Sequence, residues 1–278
     1  MSASATTMRR VGANGFAMPV LGLGTWRMEG EACTEAVARA LALGYRHVDT
    51  AEMYANEAAV GAGLRASGVA RGDIHLTTKV WWEHLAPDAL RAAFAASLKR
   101  LGTDYVDLLL IHWPHPTMDL PAALGAMVAL KEQGQVRAIG VSNFTVALMQ
   151  EAVRHAPIAC NQVEYHLLLG QAKVREFARA HGIVVTAYAP VGRGIFTGEP
   201  TIARIAARHE ASPEQVGLAW LLAQEGVAAI PKAQRAENQL ANLAALDLRL
   251  SPRDIAALDA LPKNRRQVSP GFAPRWDV

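Results

Sequence analysis

Ile74-His75-Leu76-Thr77-Thr78-Lys79-Val80 is a short apolar run; residues 87–101 follow it as an amphipathic stretch, and Val106-Asp107-Leu108-Leu109-Leu110-Ile111-His112 is a second apolar run. Two short, nearly continuous apolar runs joined through one helix read as parallel strands covered on both faces. The same alternation extends outward in both directions. Strands are expected at 19–23, 47–49, 74–80, 106–112, 136–142, 159–164, 184–188 and 227–231. Helices are expected at 31–43, 56–67, 87–101, 119–133, 145–155 and 171–181. Between the seventh and eighth strands come 201–209 and 213–224, and after the eighth 238–246 and 252–261. Strands that are each followed by helix describe an α/β chain of the (β/α)8 TIM-barrel type better than an open doubly wound sheet, with extra helices near the C-terminus.

Punctuation supports these boundaries. Leu43-Gly44 reads as a helix C-terminus whose glycine takes the left-handed conformation. Ser212-Pro213-Glu214 sets a cap residue before a first-turn proline. Asn14-Gly15, between two short segments ahead of the first strand, suggests a β-hairpin plugging the bottom of the barrel. No repeat, low-complexity tract or long linker interrupts the pattern, so residues 1–278 are expected to form one domain.

Composition excludes several classes of function. With 51% hydrophobic and 19% charged residues, the chain has ample material for a core. Its 28 Lys and Arg against 25 Asp and Glu leave a net charge of +3, scattered rather than gathered into an arm or stripe, so no nucleic-acid partner is expected. No apolar run is long enough to span a bilayer, and no membrane association is expected. Cys33 and Cys160 are far apart, which suits a reducing compartment. Residues 1–10 lack the apolar core of a signal peptide. A cytoplasmic monomer is the expectation. His112 and His115 flank Trp113-Pro114 without a supporting Cys or carboxylate cluster, so no metal site is expected.

In a barrel, the C-terminal ends of the strands and the loops after them converge on one mouth. Asp49 ends the second strand, Tyr54 follows in its loop, Lys79 lies at the end of the third strand, and His112 ends the fourth. Singly, Asp49 reads more often as a cap and Tyr54 usually as packing; a lysine at the end of an apolar strand must reach solvent or a partner. Together they suit protonation of a carbonyl oxygen as negative charge builds on it. Tyrosine, with an ordinary pKa of about 10, is a poor proton donor near neutrality. The Lys79 cation is expected to lower that pKa, and Asp49 to keep the lysine charged and oriented. His112 is placed to donate a hydrogen bond to the substrate oxygen. No nucleophile accompanies the group, since Gly140-Val141-Ser142-Asn143-Phe144 is not a G-x-S-x-G elbow.

Gly44-Tyr45-Arg46-His47-Val48-Asp49-Thr50-Ala51-Glu52-Met53-Tyr54-Ala55-Asn56-Glu57 resembles the first signature of the aldo-keto reductases. The family's other pieces follow in register: Leu21-Gly22-Leu23-Gly24-Thr25-Trp26, Thr78-Lys79, Ile111-His112-Trp113-Pro114, Gly140-Val141-Ser142-Asn143-Phe144, Asn161-Gln162-Val163-Glu164-Tyr165 and Ile230-Pro231-Lys232. Within the family, the chain is similar to bacterial members that reduce 2,5-diketo-D-gluconate or methylglyoxal. The resemblance implies NADPH-dependent reduction of aldehydes, α-dicarbonyls or keto sugars. It makes Tyr54 the general acid, with Lys79 and Asp49 tuning it and His112 orienting the carbonyl. It also implies that NADPH lies extended across the barrel mouth, so the absence of G-x-G-x-x-G is expected.

The same resemblance places Gly24 and Thr25 against the cofactor, and assigns Ser142, Asn143 and Gln162 to the nicotinamide carboxamide and Tyr188 to ring stacking. Ser142-Asn143 also reads as a cap for the following helix. Lys232 matches the residue that meets the 2′-phosphate, and Asn242 keeps its place near the adenine. The chain departs from the family where Ala233 and Asn238 replace a usual serine and arginine, and where Ala189 replaces the serine after the stacking tyrosine. Asn238 is retained as a cofactor-binding candidate, with Arg235 as a substitute for the missing arginine, and NADH use is less firmly excluded than in a full-pattern member. Trp26, Trp81 and Trp113 are expected to wall the substrate pocket, with Tyr165 or Trp276 as further candidates, under an incomplete lid formed by the tail after Leu261. A barrel that senses the cofactor without turnover, as ion-channel β subunits of this fold do, is the competing reading. The intact catalytic group favours the enzyme.

Overall fold

The computed structural model describes residues 8–277. Residues 1–7, part of the stretch read as lacking a signal core, lie outside the described residues.

Eight parallel strands are hydrogen-bonded in chain order: β3 (Leu23–Gly24), β4 (His47–Asp49), β5 (His75–Val80), β6 (Val106–Ile111), β7 (Val136–Ser142), β8 (Ile158–Glu164), β9 (Val184–Tyr188) and β10 (Val227–Ala229). The sheet closes on itself through the bridges Leu21↔Ala229 and Gly24↔Lys232, with Gly22 donating to the Ala229 carbonyl at 2.9 Å and Gly24 to that of Pro231 at 3.2 Å. A Cβ on Gly24 would lie 2.6 Å from the Ile230 carbonyl oxygen, so glycine is required there by closure alone. The result is the expected (β/α)8 barrel.

The first and last strands differ from expectation. Pro19 belongs to the hairpin formed by β1 (Arg10–Ala13) and β2 (Phe16–Pro19), and residues 20–22 reach the last strand only by isolated pairing. Regular pairing in β10 stops at Ala229, short of the expected 231, where Pro231 has no N–H to contribute. The hairpin turns at Asn14 (φ 54°) and Gly15 (φ 80°), the left-handed pair that a two-residue turn demands. It seals the bottom of the barrel: Phe16 packs toward Leu108, Leu110 and Cys160, and Met18 toward Val184 and Ala228.

The outer layer comprises α1 (Gly30–Ala42), α2 (Glu57–Ala66), α3 (Pro87–Leu101), α4 (Leu120–Glu132), α5 (Val146–His155), α6 (Ala172–His181), α7 (Pro200–Arg208), α8 (Pro213–Leu222), α9 (Ala236–Ala244) and α10 (Pro252–Asp259). Several helices start one residue later than expected because a cap residue stands outside the helix. Asp119 accepts from Ala122 N, and Thr145 from Leu148 N. Ser212 and Gln215 form a reciprocal capping box ahead of α8. Gly44 (φ 109°) ends α1 as read. Among the described residues, no helix is long and apolar enough to cross a membrane.

The lower barrel interior carries two buried imidazoles, His47 and His75, with ring centroids 4.8 Å apart. Among the described residues, Nδ1 of His47 and Nε2 of His75 have no hydrogen-bond partner. Burial, reinforced by neighbouring cations, lowers both, His47 well below the ordinary histidine value and His75 to about 3. Below pH ~6.5 the unfolded chain takes up protons that the folded chain refuses, so stability falls as pH drops through that value. The expected loss is about 1.4 kcal/mol per histidine between pH 7.5 and 5.5, read as a lower urea midpoint. A His75→Asn variant whose pH dependence matches that of the parent chain overturns this account.

Candidate active site

Asp49, Tyr54, Lys79 and His112 meet at the C-terminal mouth of the barrel. The parallel register sets Asp49 opposite Thr77 and Lys79 opposite Leu110, while His112 N donates to the Val80 carbonyl at 3.0 Å. Tyr54 ends a 3₁₀ turn, Glu52–Tyr54, that is closed by Ala55 in the left-handed conformation (φ 55°). Buried Asn56 ties this turn to the first strand's loop, donating to the carbonyls of Thr25 at 2.9 Å and Met28 at 3.0 Å and accepting from Thr50 Oγ1 at 2.8 Å. Glu57 is buried beside it and accepts from Thr78 Oγ1 and from the Arg100 guanidinium. The Asn56-Glu57 pair closes the signature stretch, yet its bracing role depends on contacts from four other segments.

Lys79 Nζ is the hub. It donates to Asp49 Oδ1 at 2.5 Å, to the Thr50 carbonyl at 2.8 Å and to the Tyr54 hydroxyl at 3.3 Å. Asp49 Oδ2 accepts from Gln162 Nε2 at 2.7 Å. The alternative reading of Asp49 as a helix cap is therefore not what the fold builds. Burial works against the Lys79 ammonium, but the Asp49 carboxylate and the Tyr54 oxygen outweigh it and hold the lysine above its ordinary value. At Tyr54 the Lys79 cation acts in the expected direction but does not prevail. Burial lifts its pKa above the ordinary phenol value, and the pull of Lys79 only partly offsets that. The phenol is therefore protonated at neutral pH. Burial, then Lys79, push His112 well below the ordinary histidine value, so its imidazole is neutral. The ring is held by packing, edge-on to Tyr54 (5.5 Å) and Trp81 (5.2 Å), with Nδ1 lacking a partner.

These groups open onto a cavity of about 470 Å³. Gly24, Thr25, Ser142, Asn143, Gln162, Tyr188 and Lys232 line it together with Trp26, Asp49, Tyr54, His112 and Trp113. Ser142 Oγ donates to the Gln162 carbonyl at 2.8 Å, Asn143 Nδ2 donates to the His112 carbonyl at 3.0 Å, and the Tyr188 hydroxyl donates to Asn143 Oδ1 at 2.8 Å. Asn143 holds φ at 64°, a left-handed value that asparagine tolerates. Ser142 and Asn143 do not cap α5; Thr145 does.

Other candidates fall elsewhere. Trp81 does not line the cavity; it packs between His112 and Phe272. Asn238 is exposed on α9, and Asn242 is buried on the same helix beside the Tyr45 hydroxyl; neither lines the cavity. Arg235 is exposed, 3.5 Å from Glu237. Tyr165 packs against Trp220 in the core and does not line the cavity. Met53, Arg193 and Val268 line the cavity without having been singled out. Gly192-Arg193-Gly194 is the one local signal for Arg193, a turn in which the arginine itself takes φ 51°. Phe272, from the tail, reaches both Trp81 and Trp113.

A parallel barrel with this buried lysine–carboxylate–tyrosine group at its mouth has the form of a carbonyl-reducing oxidoreductase. The aldo/keto reductase family model matches residues 20–263, and the chain belongs to the aldo/keto reductase family, whose members use nicotinamide cofactors, generally NADPH. Over 94% of its length it is similar to the methylglyoxal reductase DkgB of Salmonella typhi, 46% identical over 266 residues that cover 99% of that protein. It is 41% identical over 256 residues to the glyoxal reductase of Bacillus subtilis strain 168, covering 91% of this chain and 92% of that one. The crystal structure of a provisionally assigned 2,5-diketo-D-gluconic acid reductase B superposes with a TM-score of 0.95 at 40% identity, covering 99% of each chain.

Proposed function

We propose that this protein reduces aldehydes and small α-dicarbonyls, methylglyoxal foremost, to alcohols at the expense of NADPH, with keto sugars such as 2,5-diketo-D-gluconate as a further substrate class. The observation that carries this reading is the Lys79 ammonium held between the Asp49 carboxylate and the Tyr54 hydroxyl on one side of the cavity. In the same reading, residues 1–278 act as one barrel domain, as a monomer in the cytoplasm.

The donor set fits a nicotinamide cofactor. Ser142, Asn143 and Gln162 present hydroxyl and amide groups on one wall, Tyr188 presents an aromatic ring, and Lys232 is an exposed cation at the rim. Asn143 and Gln162 would hold the carboxamide by amide hydrogen bonds, Tyr188 would face the ring, and Lys232 would meet the 2′-phosphate through a charge-assisted contact. When bound, the cofactor supplies the hydride. The neutral His112 imidazole donates to the carbonyl oxygen and sets its direction. Tyr54 gives its proton to that oxygen as negative charge grows there. The phenolate left behind is stabilised by Lys79, which is worth more after proton transfer than before it, and that difference is what accelerates the step. Asp49 keeps Lys79 charged and aimed. Trp26 and Trp113 supply apolar walls for a small substrate.

The test is NADPH oxidation followed with methylglyoxal, 2,5-diketo-D-gluconate, a simple aliphatic ketone and a ketosteroid. The dicarbonyls are expected to give the highest kcat/KM and the steroid the lowest, because a carbon beside a second carbonyl is already electron-poor. Failure to oxidise NADPH with any of them favours the cofactor-sensing reading. In the same assay Lys232→Ala should weaken NADPH about 10–100-fold, the worth of a charged hydrogen bond, and barely change NADH. Equal weakening of both removes Lys232 from the 2′-phosphate.

A further inference from the structure

Glu164 ends β8 with its side chain fully buried, and it does not line the cavity. A buried carboxylate persists only where donors replace its lost water. Here the donors come from the tail: Gln267 N reaches Oε1 at 2.7 Å and Val268 N reaches Oε2 at 2.8 Å. His166 Nε2 lies 3.1 Å from Oε1, and the Arg266 guanidinium lies 3.9 Å from Oε2. Upstream, the tail is fastened to the loop after β8 by the Leu169↔Asn264 bridge and by Arg265 N donating to the Leu168 carbonyl at 2.8 Å. Downstream, Val268 lines the cavity, and the Phe272 ring stands edge-on to Trp81 and Trp113 at 5.8 and 5.6 Å. The Glu164 carboxylate thus sits at the point where the tail turns from the loop after β8 toward the cavity.

We infer that Glu164 is a positioning residue for the carbonyl substrate: its carboxylate clasps the Gln267 and Val268 amides and thereby sets Val268 on the cavity wall and Phe272 against Trp81 and Trp113. This rests on the reductase reading of the cavity. The clasp acts on the tail, although Glu164 is also paired in the sheet with Tyr188 and lies two residues from Gln162. A merely structural role for Glu164 would pass through those two neighbours into cofactor binding. The two roles therefore separate by which ligand is weakened.

Glu164→Gln keeps the size of the side chain but turns an amide NH2 toward one of the two tail amides, where two donors face each other. Expected are a KM for methylglyoxal raised about tenfold with a much smaller change in kcat, an unchanged NADPH Kd, and faster hydrogen exchange at the Gln267 and Val268 amides. Combined with Phe272→Ala, the two effects on KM should fall short of additive, because both loosen the same stretch of the tail. Gln267→Pro removes one of the clasped donors from the tail side and leaves Glu164 intact, so it should reproduce the KM effect even if Glu164→Gln folds poorly. The clasp is overturned if NADPH Kd shifts in parallel with KM, if the tail amides exchange at the parent rate, or if KM is unmoved in an otherwise active enzyme. A parent chain that reduces no carbonyl substrate overturns instead the reading of function on which the clasp rests.

Discussion

Tyr54→Phe is expected to lower kcat for methylglyoxal by about 10²–10⁴-fold, the usual worth of a general acid, and to leave NADPH binding intact. Phenylalanine keeps the ring that packs against Trp26 at 4.9 Å and His112 at 5.5 Å, so the mouth keeps its shape. Only the hydroxyl 3.3 Å from Lys79 Nζ is lost, and with it the proton. Because burial keeps that phenol protonated, turnover of the parent enzyme should not require a phenolate ground state. Cofactor affinity by fluorescence titration and turnover by NADPH oxidation provide the two readings. A variant with near-parental kcat removes Tyr54 from the role of proton donor.

Lys79→Met is expected to damage both activity and stability. The substitution fills the space but leaves the Asp49 carboxylate buried with Gln162 as its remaining side-chain donor. Breaking a buried ion pair from one side costs about 3–5 kcal/mol, because the surviving charge is stranded. For a chain of this size each kcal/mol lowers Tm by roughly 2–4 °C, so a fall on the order of 10 °C is expected in a melting experiment. Activity should fall as well, since the phenolate formed at Tyr54 loses the cation beside it. The double variant Lys79→Met/Asp49→Asn separates the two effects. It should recover much of the stability, with both charges gone, and none of the turnover. Parental stability in the single variant would show that Asp49 is not ionised in the folded protein.

The barrel was legible in local patterning. A buried parallel strand shows itself as a short apolar run, and the β5–α3–β6 unit displays that signal on both sides of one helix. Asn14-Gly15 and Ser212-Pro213 were equally readable, because turns and caps are set by the conformational preferences of a few adjacent residues. The limits of the first and last strands were less so, since closure through Leu21↔Ala229 pairs residues from opposite ends of the barrel. The reactive residues were also visible: Asp49, Lys79 and His112 fall at strand ends, and barrel geometry alone sends those ends to one mouth.

What the tertiary structure decided are the quantities summed over distant neighbours. The Tyr54 pKa moves up rather than down because desolvation is contributed by every segment that closes over the ring, while the Lys79 charge is a single contact. Trp81 and Trp113 look alike in sequence, yet one packs against His112 and the other lines the cavity, a matter of which loop packs over which. Arg193 and Val268 reach the cavity from loops whose paths no local pattern encodes. The Glu164 clasp joins residues 103 and 104 positions apart. The sequence by itself determined the strands, the caps and the reactive side chains, since each depends on preferences expressed within a few residues. The tertiary structure alone decided the electrostatic balance at Tyr54 and the lining of the cavity, since burial and long-range contact exist only once the chain has closed.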